Sequence, residues 1–177
     1  MRRGFFAALM SVVAAALLTA SPASAQIASP AWGEPISTLD RFVLLASYNN
    51  EAVHDRETGL VWEQSPSLAT GVWSTAQYSC NKKTVGNRKG WRLPAVQELA
   101  TLIDPSVPYP GPTLPAGHPF DPNALASYYW SATTRGGADL SGDAWSVSLL
   151  NGDVAPYAKF ANIAAWCVRG GPATWNP

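Results

Sequence analysis

Seven prolines crowd into residues 105–127 of this chain: Pro105, Pro108, Pro110, Pro112, Pro115, Pro119 and Pro122. Proline fixes φ and lacks an N–H, so neither a helix nor an interior strand runs through such a stretch. The fold is therefore expected to be assembled from what flanks it, with a long ordered loop between two structured parts. A loop of that kind on a rigid scaffold is a natural binding surface.

Upstream, residues 41–47 open with the strand-like run Phe42-Val43-Leu44-Leu45. Ala52-Val53-His54 and Leu60-Val61-Trp62-Glu63 flank a polar turn ending in Gly59, which predicts a hairpin with a positive φ at that glycine. The period then changes. Trp73, Ala76 and Cys80 fall at i, i+3 and i+7, one face of a helix. Residues 81–90 are polar and end in Gly90, a loop. After the short extended Trp91-Arg92-Leu93, Pro94 suits the start of a second helix. Its inward stripe is Val96, Leu99 and Ile103 with Leu102 alongside, and Asp104-Pro105 ends it.

Downstream, Tyr128-Tyr129-Trp130-Ser131-Ala132-Thr133 predicts an aromatic-rich strand, followed by a glycine-rich turn region over 135–142. Residues 144–150 alternate, with Trp145, Val147 and Leu149 opposite Ser146 and Ser148. Asn151-Gly152 predicts a two-residue hairpin turn, and residues 153–160 return with Pro156 marking an edge or a bulge. Residues 164–169 form the closing strand, carrying Cys167. Strands, two helices, a long loop and an antiparallel sheet make an α+β domain.

The N-terminus carries an export signal. Arg2 and Arg3 precede an apolar run over residues 5–20, and Ala23-Ser24-Ala25 presents small residues for cleavage. The run is short against the roughly 20 residues of a membrane span. Residues 1–25 are thus expected to be a signal peptide, 26–40 an irregular lead-in and 41–177 a single domain, with no membrane span in the mature chain. The expected location is the periplasm or the medium. An oxidising compartment lets Cys80 and Cys167, the only two cysteines, pair with each other. The alternatives are two free thiols or a metal pair. A metal pair needs further ligands, and His54 and His118 stand at no recognisable spacing from them. A paired sulfur offers no thiolate, which argues against a cysteine nucleophile. Without Arg2 and Arg3, ten basic residues face twelve acidic ones. That balance provides no electrostatic footprint for nucleic acid.

Several short motifs occur in a distinctive order: Asp55 with Thr58-Gly59-Leu60-Val61-Trp62-Glu63, Trp73 and Ala76 before Cys80, Gly90-Trp91-Arg92-Leu93-Pro94 with Glu98-Leu99, Tyr129-Trp130-Ser131, Ala144-Trp145, and Cys167-Val168-Arg169-Gly170. Over about residues 50–171 the chain resembles the Lcl C-terminal domain family, named for a bacterial collagen-like adhesin. The resemblance implies a C-type-lectin-like fold: two helices packed against small antiparallel sheets, with a long proline-rich loop. It also implies that Cys80 and Cys167 take the place of that fold's long helix-to-last-strand bridge. Adhesion or glycan binding is what the family suggests, by fold analogy.

Two departures matter. The family commonly has Thr after the proline of its Trp-Arg-Leu-Pro motif, which with Glu98 would make a capping box; here the position is Ala95, so a helix-end loss of about 1 kcal/mol is expected. Calcium-dependent lectins place oxygen ligands in a loop motif and on a Trp-Asn-Asp strand. This chain has Asp121-Pro122-Asn123 and Trp145-Ser146-Val147, so a calcium-bridged sugar site is not expected.

Trp62, Trp91, Trp130 and Trp145 are expected in the core, with Arg92 and Glu98 as scaffold around the second helix start. Tyr109, His118, Phe120, Asp121, Asn123 and Tyr128 line the long loop or its exit and are the candidate ligand contacts. No metal set, cofactor motif, phosphate loop or dinucleotide fingerprint is present in the sequence, and no carboxylate or histidine spacing singles out a catalytic group. The sequence therefore points to a non-enzymatic, exported binding or adhesion domain for a glycan or a surface protein, without calcium or cofactor. A structural or accessory envelope protein is the alternative, and a hydrolase of surface polymers stands behind both.

Overall fold

The computed structural model describes residues 38–122, 128–137 and 142–171. The expected signal peptide, all but the end of the lead-in and part of the glycine-rich turn lie outside the described residues. The architecture is α+β, with two helices packed against two five-stranded sheets.

The first sheet begins after a single helical turn, α1 (Thr38–Arg41). It contains β1 (Phe42–Leu44), β2 (Ala52–Asp55), β3 (Val61–Glu63), β5 (Trp91–Arg92) and β10 (Val168–Arg169), in the antiparallel order β1-β2-β3-β10-β5. β2 and β3 form the expected hairpin, with Val53 opposite Trp62 and Gly59 at φ +72°. The second sheet contains β4 (Thr70–Gly71), β6 (Tyr128–Thr134), β7 (Asp143–Ser148), β8 (Val154–Ala158) and β9 (Ile163–Ala164). Its order is β4-β9-β6-β7-β8, antiparallel except where β6 and β9 run parallel. β8, with Pro156 at its centre, is an edge as the sequence predicts.

The expected closing strand is divided. β9 belongs to the second sheet and β10 to the first, so the chain crosses between sheets through Ala165, Trp166 and Cys167. Trp166 fills that crossing and is fully buried. Its ring meets Trp62, Phe120 and Tyr129 at centroid distances of 5.7, 4.9 and 5.4 Å. Burying such rings contributes about 2–3 kcal/mol each. A second cluster gathers Trp91, Trp130, Ala76, Ile163 and the Cys80–Cys167 disulfide. The bridge ties α2 (Trp73–Lys82) to the crossing segment, so one covalent bond holds the helix against both sheets.

α3 (Val96–Ala100) is shorter than the apolar pattern predicts. Pro94 does not start it: Ala95 is the N-cap, and the Pro94 carbonyl accepts the Ala132 N–H at 2.7 Å. Leu102 is fully buried beyond its end, while Ile103 only packs against the core. Nor does Glu98 lack a partner at the cap. Its Oε2 accepts the Ala95 N–H at 2.7 Å, and Thr133 Oγ1 on β6 accepts the Val96 N–H at 3.0 Å. Ala95 itself has no acceptor, so a neighbouring strand supplies the hydroxyl that the N-cap residue does not.

The β7–β8 connection also differs from expectation. A two-residue Asn151-Gly152 turn would set Trp145 opposite Ala158; instead Trp145 faces Pro156. The connection is longer, closed by Gly152 N–H to Ser148 O at 3.0 Å and Ser148 N–H to Asp153 O at 2.8 Å, with Gly152 at φ +75°. The cause is remote. Leu149 is fully buried, and the Leu149 and Leu150 carbonyls accept the N–H groups of Thr113 and Gly111, both at 2.7 Å. The turn is held open by the proline-rich segment that docks on it. A Cβ on Gly111 would lie 2.4 Å from Leu149 O, so the docking depends on that glycine.

Candidate functional site

Among the expected ligand contacts, Phe120 is corrected. It is 2% exposed and forms edge-to-face contacts with Phe42 (5.2 Å) and Trp166 (4.9 Å). It is the anchor by which the proline-rich segment docks into the core, not a surface group. His118 is half-buried at its side, ring centroid 5.7 Å from Phe120, and burial holds the imidazole below its ordinary pKa. Its Nδ1 is buried without a partner among the described residues. Asp121 is half-buried; it accepts the Ser65 hydroxyl at 3.1 Å and donates its N–H to Gln64 O at 2.9 Å. Tyr109 stands in solvent, 71% exposed. Asn123 lies outside the described residues.

Tyr128 occupies a different setting, on the exit strand β6. Strand alternation puts Tyr128 and Trp130 on the face of the second sheet that also carries Ala144, Ser146 and Ser148, with Asp153, Ala155 and Tyr157 across the next strand pair. Tyr128 and Tyr157 meet edge to face at 5.2 Å, and the Tyr128 hydroxyl donates to Asp153 Oδ2 at 3.0 Å. Hydrogen bonding with Tyr157, then burial, then the Asp153 carboxylate push the Tyr128 phenol well above the ordinary tyrosine range. It remains a neutral donor. Tyr157 went unrecognised in the sequence because only the true register of β7 and β8 brings it to Tyr128. Gly111's bond to Leu150 O ties the proline-rich segment, two residues after Tyr109, to the β7–β8 loop.

Ser146 and Ser148, on the face opposite Val147 and Leu149 as the alternation predicts, are buried as well. Ser146 Oγ donates to Ala155 O at 3.0 Å, and Ser148 Oγ accepts the Leu150 N–H at 3.2 Å. Trp145, expected in the core, is only half-buried and belongs to neither core cluster; its cross-strand neighbour is Pro156 on the edge strand β8. Trp62, Trp91 and Trp130 are buried. Trp91 Nε1 donates to Arg88 O and Trp130 Nε1 to Gly71 O, whereas Trp62 Nε1 has no partner among the described residues.

A cleft of about 130 Å³ lies elsewhere, between α2 and the β4–β9 seam. Ser67, Thr70, Thr75, Ser79 and Lys83 rim it, with Ile163, Ala165 and Cys167 beneath. The lysine ammonium contacts Glu63 Oε1, and Glu63 Oε2 accepts the Cys167 N–H at 2.8 Å. Burial raises the Glu63 pKa, with Lys83 and the Cys167 N–H opposing that rise. Sequence spacing gives no hint of this cleft, since its walls come from three separate segments.

The Lcl C-terminal domain family matches residues 51–169, about two thirds of the chain. This chain belongs to that family. No curated protein matches it. In this Lcl C-terminal domain the shared motifs hold the scaffold together. Asp55, fully buried, accepts Arg41 Nε and Nη2 at 3.0 and 2.9 Å, the Glu57 N–H at 3.0 Å and the Thr58 hydroxyl at 2.9 Å. Arg41 also donates to Thr101 O at 2.8 Å, so the hairpin turn is tied to the end of α3. Arg92 grips Glu98 through two 2.7 Å bonds and reaches Gly170 O at 2.9 Å. The Lcl domain's Arg92 and Glu98 thereby join β5, α3 and the chain after β10. Among the described residues, no three His, Cys, Asp or Glu side chains converge as a metal set, and no helix is long and apolar enough to cross a membrane.

Proposed function

We propose that this chain is an exported adhesion-type binding domain, of C-type-lectin-like architecture, that recognises a glycan without calcium. The observation that carries the reading is the Tyr128–Tyr157 pair with Asp153 beside it. Aromatic rings offer apolar faces to the C–H face of a sugar, and the Asp153 carboxylate and the oxygen of the Tyr128 hydroxyl, whose proton is held by Asp153, offer acceptors to its hydroxyls. A few convergent polar groups beside aromatic surface are the usual make-up of a ligand site.

Independence from calcium rests on the strand. Where calcium lectins carry side-chain oxygen ligands, the corresponding Ser146 hydroxyl is buried and committed to Ala155 O. Export to the periplasm or the medium follows from the N-terminal signal and suits a disulfide-bonded domain.

A glycan array tests the reading with the native chain and Tyr157→Ala. Saturable binding that survives a chelator and weakens about tenfold or more in Tyr157→Ala is expected, the loss of one aromatic contact of about 1.4 kcal/mol. Binding that requires calcium would contradict it. Silence on the array, with an envelope protein recovered by cross-linking, would favour the accessory role.

A further inference from the structure

The cleft beside α2 is separate from the tyrosine pair, and its chemistry is more selective. Thr75, Ser79 and Lys83 recur every four residues along α2 and its exit, so they line one wall in a row. Thr70 and Ser67 face them from the segment around β4, and Ile163, Ala165 and Cys167 make a floor that is largely apolar. The hydroxyls of Thr70, Thr75 and Ser79 pair with no other described residue. The cleft thus offers unclaimed hydroxyls above an apolar base.

Its one charge is already balanced. The Lys83 ammonium rests on Glu63, a carboxylate only 3% exposed, whose second oxygen is fixed by the Cys167 N–H. No carboxylate lines the cleft. An anionic ligand would have to share Lys83 with Glu63 at close range, and a cationic one would meet the ammonium directly; both are disfavoured. A neutral hydroxyl meets neither obstacle and can accept one of the ammonium's remaining N–H groups. Size narrows the ligand further. At about 130 Å³ the cleft is well below the roughly 300–1,000 Å³ of a site for a drug-sized ligand, which suits a single ring.

We propose that this cleft is a second subsite, receiving one uncharged, hydroxyl-bearing ring such as a terminal neutral hexose. The inference rests on the glycan reading above and adds to it. Ile163 and Ala165 alternate with Ala164, whose partner is Tyr129, so they share a sheet face with Tyr128. Cleft and tyrosine pair therefore open on one face of the second sheet, and a branched or extended glycan can engage both.

The test is an amide NMR titration of the intact exported chain with methyl glycosides of glucose, galactose and mannose, and with glucuronate and glucosamine as charged counterparts. Saturable shifts at Thr75, Ser79 and Lys83 are expected for at least one neutral glycoside, with the charged sugars about tenfold weaker. Thr75→Val combined with Ser79→Ala keeps the cleft's shape and the disulfide, and should weaken those shifts about tenfold at unchanged melting temperature. Tyr157→Ala should leave them in place. The subsite is overturned if no neutral glycoside shifts these amides, if charged sugars bind equally, or if the double variant binds like the native chain. Array binding lost in Tyr157→Ala but retained in the double variant removes the subsite and leaves the tyrosine reading standing. Failure of the native chain on every glycan removes both.

Discussion

Replacing Cys80 and Cys167 together by alanine probes the bond on which the arrangement of the two sheets depends. The bridge spans 87 residues and joins α2 to the crossing between sheets. Closing a loop of that length removes unfolded-state entropy worth about 4.6 kcal/mol at 25 °C on the chain-entropy scale. Both cysteines are essentially without solvent exposure, so the lost sulfurs also leave a small void among Trp91, Trp130 and Ile163. For a domain of this size, the expected fall in Tm is about 10–18 °C. Urea unfolding followed by tryptophan fluorescence measures the free energy directly. The slope against urea should rise as well, because an uncrosslinked unfolded chain exposes more surface. A loss below about 1 kcal/mol with an unchanged slope would show that the bridge is incidental and that packing alone orders the sheets. Mass mapping of the native chain provides an independent check, since two free thiols would contradict the bridge outright.

Three further outcomes follow from particular contacts. Asp55→Ala removes the acceptor of two Arg41 N–H groups, leaving the guanidinium, whose side chain is 11% exposed, only Glu57 and the Thr101 carbonyl, and also frees the Glu57 N–H and the Thr58 hydroxyl; it should cost about 3 kcal/mol in urea unfolding, and Arg41→Met with Asp55→Ala should cost less than the sum of the two single changes. Ala95→Thr places a hydroxyl at an N-cap already extended at φ −65° and ψ 158°, completing the box with Glu98, and should raise stability by about 0.5–1 kcal/mol. The pH dependence of Glu98 has a definite sign. Burial would raise its pKa, but hydrogen bonds from Arg92 and the Ala95 N–H, together with the arginine charge, bring it below the ordinary value. Its contribution is therefore present above the unfolded carboxylate's pKa and lost as pH falls through the folded one. Native protein should lose stability relative to Glu98→Gln on acidification from about pH 5 to about pH 3, and parallel curves for the two would contradict the assignment.

The sequence by itself determined the elements whose signals are local. The 52–63 hairpin was legible from two apolar runs and Gly59, α2 from the spacing of Trp73, Ala76 and Cys80, and β6 from its aromatic run, because neighbouring residues set those conformations. The proline spacing likewise excluded regular structure across the loop. Only the tertiary structure decided what that loop touches. Phe120 reads as a loop aromatic until Phe42 and Trp166 close around it. The β7–β8 turn takes its length from Leu149 and Leu150 carbonyls claimed by residues nearly forty positions earlier. The division of the closing strand, the Tyr128–Tyr157 contact and the Lys83–Glu63 cleft have the same origin. Each depends on backbone groups and side chains paired across distant segments, and a pattern of neighbouring residues carries no record of which distant partner will satisfy them.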